Sequence, residues 1–304
     1  MYFKDAISAV GHTPLVEVSG VCPNKNKVKI LAKLEGQNLG GSASIKDRVA
    51  KSMLKKAEQS GELTRDKIIV EATSGNTGIA LAWLGHKLGY KVTIVMPDSM
   101  SLERQQLIRI FGAELILTKG SYGMKAAIDK ANELAAKDKK YYMPDQFTNP
   151  ANPLAQYETT GAEIQNDFPY DQIDVLIAGI GTGGTIAGVG RRLKEKYPGL
   201  MVISVEPPSG DSIQGLKCLE ELEEAPPFLD LSLISERAMV TSQQAAEATR
   251  QLLEREGIFA GLSSGAVVHQ AIKVAGEMDK GNIVAVLADG GWKYLSLDFW
   301  TKTV

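Results

Sequence analysis

The 304-residue sequence is short of several residues on which common chemistries rely, and each shortage removes a class of function. Histidine occurs three times, as His12, His86 and His269, scattered and without HExxH spacing, which argues against a histidine-rich metal centre; no metal is expected. Cysteine occurs twice, at Cys22 and Cys218, too far apart for a CxxC motif and too few for a disulfide framework. An excess of charge of one sign is also missing. The 34 basic and 36 acidic residues leave a net charge of −2 with no basic stripe, so nucleic acid is not an expected partner. The apolar runs are no longer than short strands, which excludes a spanning helix, and MYFKDAISAVG carries Asp5 where a signal peptide would have its apolar core. The expectation is a soluble, cytoplasmic protein that uses no membrane.

The scarcity of histidine bears on one tempting motif. GLSSG at 261–265 fits the G-x-S-x-G nucleophile elbow, in which an acid and then a histidine follow the serine along the chain. Here the one histidine after Ser263 is His269, which precedes the best later acid, Asp289. A hydrolase triad in that order cannot be assembled.

What the sequence does contain is regular alternation. Strand-like runs at 29–35, 67–72, 91–97 and 114–118 interleave with helical spacing at 74–89 and 101–112. The second half repeats the scheme: DVLIAG, a helix from about Thr185 to Tyr197, MVISVE, helices over 242–256 and 264–278, and NIVAVLAD at 282–289. Such alternation predicts an α/β fold with parallel sheets flanked by helices. A hydrophobic share of 44% over this length suits two lobes. The seam is expected at FTNPANPLA, 147–155, whose two Asn-Pro pairs should break helix and strand alike. PPSGDSIQG at 207–215, with the acidic CLEELEEAPPF after it, reads as a surface excursion.

Three polar segments stand out beside GLSSG. VLIAGIGTGGTI, 175–186, runs from a strand through a glycine turn into a helix, the arrangement by which backbone N–H groups meet an anion. Gly179, Gly181 and Gly184 also match G-x-G-x-x-G, and Glu206 lies near where a ribose-binding acid would fall, so a nicotinamide dehydrogenase is one reading. GGSASIKDR, 40–48, sets Lys46 after a glycine- and serine-rich turn, where a desolvated amine could do Schiff-base chemistry or a surface lysine could simply sit. EATSGNTG, 71–78, follows a strand and supplies hydroxyls, an amide and helix N-terminal N–H groups, which would cradle a carboxylate or merely cap a helix.

In order and over nearly the whole chain, these segments resemble the cysteine synthase family of fold-type II pyridoxal-phosphate (PLP) enzymes, closer to its B type. GHTPL at 11–15, SIKDR, TSGNTG, GTGGT, GIFAGLSSGA and YLS at 294–296 carry the resemblance, with Asn76 thirty positions after Lys46. It implies two lobes, a smaller substrate-closing domain at 39–149 and a larger PLP-binding domain from 1–38 and 150–304. It further implies that Lys46 binds PLP as a Schiff base and removes the substrate α-proton. Gly181, Thr182, Gly183, Gly184 and Thr185 would hold the phosphate, and Ser263 would face the pyridine nitrogen. Asn76 would contact the ring hydroxyl. Thr73, Ser74, Gly75, Asn76 and Thr77, with Gln146, would bind the substrate carboxylate.

The implied activity is β-replacement: an O-activated L-serine (O-acetylserine or O-phosphoserine) loses its leaving group, and sulfur adds to the resulting aminoacrylate to give L-cysteine. Sulfide or a protein thiocarboxylate would supply the sulfur. A homodimer and the C-terminal peptide of a serine acetyltransferase are the implied partners. Lys217 is a candidate contact for the phosphate of O-phosphoserine. One departure stands out: the family's N-P-x-G-S-[VI]-K-D-R becomes NLGGSASIKDR, with Leu39 for proline and two more residues before the lysine. Cystathionine β-synthase shares nearly every motif, and a non-catalytic module that captures carboxylates would share the TSGNTG loop; both remain alternatives here.

Overall fold

A computed structural model of the chain describes residues 1–222, 225–297 and 300. Glu223 and Glu224 of the expected acidic excursion, and the chain after Leu297 apart from Trp300, lie outside it. Among the described residues there are ten strands: β1 (Leu15–Glu17), β2 (Val28–Leu34), β3 (Ile68–Ala72), β4 (Lys91–Pro97), β5 (Glu114–Thr118), β6 (Tyr141–Tyr142), β7 (Val175–Gly179), β8 (Met201–Glu206), β9 (Glu236–Met239) and β10 (Gly281–Leu287). The α-helices are α1 (Lys46–Ser60), α2 (Asn76–Leu88), α3 (Leu102–Ile110), α4 (Gly123–Lys137), α5 (Ala151–Ala155), α6 (Ala162–Asp167), α7 (Arg191–Lys196), α8 (Ser242–Glu256) and α9 (Leu262–Glu277). A π-helical stretch, Gln156–Gly161, joins α5 to α6, and another, Ile186–Gly190, leads into α7.

Two compact units result. The first comprises Met1–Gly11, Asn38–Asn152 and Lys293–Leu297; the second contains His12–Gln37 and Pro153–Trp292. The sequence expectation drew the smaller domain at 39–149 and put both chain ends in the larger one, whereas Met1–Gly11 and Lys293–Leu297 cluster with the first unit. Their contacts explain why: the Gly11 N–H donates to Asn38 Oδ1 at 2.8 Å, Ile7 packs on the apolar core of this unit, and the Ser101 hydroxyl donates to the Lys293 carbonyl at 3.0 Å. Pro153 also departs from expectation, because it lies inside α5 rather than ending it. It falls in the first helical turn, where the missing N–H would have had no intrahelical partner.

The first unit is built on an all-parallel sheet ordered β5-β4-β3-β6. Strand side chains alternate between faces, and the burial follows that period. Ile69, Val92, Ile94 and Met96 join Ala50, Leu54, Ile79 and Leu81 of α1 and α2 on one side, while Val70, Ala72 and Val95 meet Ala127 and Ala131 of α4 on the other. The second unit has the order β1-β2-β10-β7-β8-β9, with β1 alone antiparallel. Its core joins Ile30, Ile177, Ile203 and Ile283 to the apolar faces of α8 and α9.

Each sheet reverses its winding once. In the first unit the chain moves from β3 outward to β5 and then returns to place β6 on the other side of β3; in the second it moves from β7 to β9 and returns with β10 beside β7. In open α/β sheets the crevice at the carboxyl ends of such strands is where ligands bind. The loops after β3 and β7 are TSGNTG and GTGGT.

Candidate active site

In the first unit, two polar segments meet at the carboxyl end of β3. Thr73 directly follows the strand, its N–H donating to the Val95 carbonyl at 3.0 Å, and its hydroxyl accepts the Gly75 N–H at 3.2 Å. α2 then starts at Asn76, so Ser74 to Thr77 lie at a helix N-terminus, whose first N–H groups point out of the helix body. Thr73 and Thr77 are buried and Ser74 is exposed. The Thr77 hydroxyl donates to Gln146 Oε1 at 2.6 Å, which brings the loop after β6 onto the loop after β3. Thr73 to Thr77 and Gln146, expected to act together, are therefore brought together.

A residue overlooked in the sequence holds Gln146 in place. Glu71, on β3 and 3% exposed, accepts the N–H groups of Asp145 (2.9 Å) and Gln146 (3.3 Å). Burial pushes its carboxyl up to about 8, with the Asp145 charge adding to the rise and the two backbone donors opposing it. Asp145 is in the left-handed region (φ 49°), and its own carboxylate accepts from the Phe147 N–H and the Thr148 hydroxyl. The signal for Glu71 was present in KIIVEA: an acid at a strand position that the sheet buries.

Lys46 opens α1 and is half-buried, in the same unit as the cradle. Its N–H donates to Ser44 Oγ at 3.1 Å. Next to it Asp47 is almost wholly buried in the first turn, where a carboxylate is favoured by the helix dipole. Desolvation raises its carboxyl to about 6 against the pull of the Ser44 and Ser42 N–H groups, the Ser42 hydroxyl and the Lys293 ammonium.

The second unit holds the glycine turn. β7 ends at Gly179, and the chain passes through Gly181 to Gly183 before turning helical at Gly184. Gly183 has φ 82°, and a β-carbon on Gly181 would stand 2.6 Å from the Gly215 carbonyl oxygen. Side chains are thus excluded where the turn closes against the excursion after Glu206. Thr182 is buried and accepts the Gly184 N–H at 3.4 Å, and Thr185 is half-buried at the first helical turn. Ser263, 5% exposed at the start of α9, also adjoins Gly215: a β-carbon there would lie 3.5 Å from Ser263 Oγ. Lys217 follows two residues later, its N–H donating to the Ile180 carbonyl at 2.8 Å, and burial pushes its ammonium below the usual lysine range. Gly181 to Thr185, Ser263 and Lys217 therefore form one group. Backbone N–H groups and two hydroxyls suit a phosphate dianion, and an uncharged serine suits a pyridine nitrogen, so the donor set fits PLP.

The rival readings fare differently. Glu206 is fully buried and spent: it accepts Arg237 Nε at 2.7 Å and the Leu219 N–H at 2.6 Å, tying down the excursion and β9. A ribose could reach Glu206 only by displacing these partners, so it is not available as the acid that the dinucleotide reading needs. GLSSG is a helix start with a packing function, since a β-carbon at Gly265 would lie 1.9 Å from Thr249 Oγ1 of α8. GHTPL has a structural task as well. Lys33, 0% exposed, donates to the Thr13 carbonyl (2.6 Å) and to Glu163 (2.7 Å), while the Thr13 hydroxyl donates to Glu35 (2.7 Å).

Comparison with known proteins agrees with this geometry. The family model for pyridoxal-phosphate dependent enzymes matches residues 7–289. A cysteine synthase of Staphylococcus aureus is 41% identical over 303 residues, covering 96% of this chain and 95% of its own. Among solved structures, an O-ureido-L-serine synthase superposes with a TM-score of 0.92 at 37% identity, covering 100% of this chain and 97% of that one. A hydrogen sulfide-producing enzyme from Fusobacterium nucleatum gives 0.90 at 41%, covering 97% and 100%.

Proposed function

The chain belongs to the family of pyridoxal-phosphate dependent enzymes, and from that premise we propose that it is a cysteine synthase. It replaces the oxygen substituent on the β-carbon of an O-activated L-serine with sulfur, giving L-cysteine. The observation that carries this reading is the carboxylate cradle, Thr73 to Thr77 closed by Gln146, in a chain 41% identical to a cysteine synthase over 96% of its length.

When bound, PLP withdraws electrons from the substrate α-carbon, so that an α-proton and then a β-substituent can leave. Lys46 would be the residue that attaches PLP, and its Nζ would accept the substrate α-proton. Gly181 to Thr185 would hold the phosphate, Asn76 the ring hydroxyl, and the cradle the substrate carboxylate. Ser263 carries no charge and so does not keep a proton on the pyridine nitrogen. That moderates electron withdrawal and favours expulsion of a β-substituent over chemistry that needs a long-lived carbanion.

Lys217 supports O-phosphoserine as a substrate beside O-acetylserine, because a partly desolvated ammonium is a strong partner for a phosphate. The sulfur donor is sulfide or a protein thiocarboxylate. The reading includes a cytoplasmic homodimer that accepts the C-terminal peptide of a serine acetyltransferase, supported by the resemblance of the motifs. Among the described residues no helix is long and apolar enough to cross a membrane.

The test is turnover of the two serine esters with sulfide by the PLP-loaded protein. Cysteine formation from at least one is expected, and none from either overturns the reading. Lys217→Ala should lower kcat/KM for O-phosphoserine by about tenfold, the worth of one charge-assisted contact. O-acetylserine should be nearly unaffected; equal losses on both esters would remove the role of Lys217.

A further inference from the structure

The turn before Lys46, where this sequence is two residues longer than the family pattern, is gripped on both edges by buried charge. Asp47, 1% exposed, accepts the N–H groups of Ser42 (3.0 Å) and Ser44 (3.1 Å). Lys293, 2% exposed, donates from Nζ to the carbonyl oxygens of Ser42 (2.7 Å) and Ala43 (3.4 Å). Between these grips Ala43 takes a left-handed conformation (φ 43°), which is unfavourable for an alanine and persists only if its surroundings enforce it. The Ser42 and Ser44 hydroxyls stand 2.7 Å apart, and Ser44 Oγ accepts the Lys46 N–H.

Lys293 is itself fixed from elsewhere. Its carbonyl accepts the Ser101 hydroxyl at the N-cap of α3, the Tyr294 ring lies 4.7 Å from the Arg104 guanidinium, and the Ser296 N–H and hydroxyl donate to Glu103. The segment 293–297 is thus clamped on the first turn of α3, and Lys293 reaches from that anchor under the turn. A buried ammonium is tolerated when its donors are engaged and an opposite charge is near. Asp47 supplies the opposite charge, and the two carbonyls accept the donors.

We propose that Lys293 is a positioning residue for Lys46: by holding the Ser42 and Ala43 carbonyls it fixes the lengthened turn and so sets where the Lys46 amine is delivered. The proposal rests on Lys46 being the point of cofactor attachment. An amine that must meet first the cofactor aldehyde and then a substrate α-proton is sensitive to displacements of about 1 Å.

The experiment compares Lys293→Met, which keeps the stem and loses the donors, with Lys293→Arg, which keeps them. PLP is added to cofactor-free protein, borohydride fixes it at timed intervals, and peptide mass gives the amount on Lys46; unfolding temperature, kcat and KM are also measured. Lys293→Met should fix cofactor on Lys46 about tenfold more slowly or worse, with kcat falling in step and KM for O-acetylserine changing less than about twofold, because the carboxylate cradle is untouched. Lys293→Arg should recover most of the rate. Deleting Ala43 and Ser44 in the Lys293→Met background should suppress the defect, since the extra turn needing support is gone. If Lys293→Met does not fold, the same deletion must restore folding. A folded Lys293→Met protein that attaches cofactor at the normal rate overturns the proposal, as does a deletion that suppresses nothing. Attachment to some other lysine in the unaltered protein overturns instead the reading of Lys46, a distinguishable outcome.

Discussion

The second unit offers its proposed anion site in backbone, shaped by Gly181 and Gly183 where side chains would collide or strain, and sealed by the neighbouring Gly215 and by apolar Leu216 and Leu229. The first unit offers side chains: Thr73, Ser74, Asn76, Thr77 and Gln146, with Gln146 held by the buried Glu71, while Asp47 and Lys293 hold the turn before Lys46. The contrast matches what each is proposed to hold. A resident phosphate needs fixed, preorganised N–H donors that lose no side-chain entropy on binding. A substrate carboxylate that enters and leaves each cycle is better served by hydroxyls and an amide, whose grip is adjustable. A buried carboxyl under such a loop fixes it while protonated, and the desolvation cost of ionising Glu71 makes the first unit the more sensitive of the two to pH.

The largest effect should come from the one side chain assigned to covalent chemistry. Lys46→Ala should abolish the visible absorbance of the bound cofactor and slow turnover by about 10²–10⁴-fold or more, the usual consequence of losing a general base; unchanged kinetics would remove Lys46 from the site.

Next comes the pH contrast between units. Glu71 titrates at about 8 when folded against an ordinary 4.5, so between those values the native state binds more protons than the unfolded chain. Its contribution is fully present below pH 4.5 and is lost as pH rises through 8. At about 1.4 kcal/mol per pKa unit, the first unit should lose on the order of 2–4 kcal/mol between pH 6 and 9. Glu71→Gln should flatten that slope in denaturant melts followed by probes in this unit. A wild-type protein equally stable at both pH values would erase the distinction between the units.

Thr185→Ala probes the other side of the comparison. Removing one hydroxyl from a site made largely of backbone should weaken cofactor retention by about 1.5–3 kcal/mol, the worth of a hydrogen bond to a charged group. It should leave the KM of the amino-acid substrate nearly unchanged, and cofactor titration checks both. A larger KM effect than cofactor effect would mean the two functions are not divided between the units as described.

Local pattern made much of this legible. Every strand of the interior, β2, β3, β4, β7, β8 and β10, is an apolar run that announces itself, and the two functional loops are visible because threonine, serine, asparagine and glycine crowd the ends of such runs. Other elements escaped notice for physical reasons. α4 buries mainly alanines, Ala127 and Ala131, and so shows no stripe of large apolar residues, while β9 reads ERAM and becomes a strand only by pairing with β8. α5 hid behind an Asn-Pro pair that proved compatible with a helix start.

The amino-acid order alone determined the alternating parallel architecture, the glycine turn after β7, the cradle after β3 and the lysine at the head of α1, because each depends on neighbours within a few residues. Folding in three dimensions decided which charges support them. Glu71 lies 75 positions from Gln146 and Lys293 lies 251 positions from Ser42. No local periodicity carries such pairings; they exist because the core brings distant strands and loops together, where a buried polar group without a partner is costly.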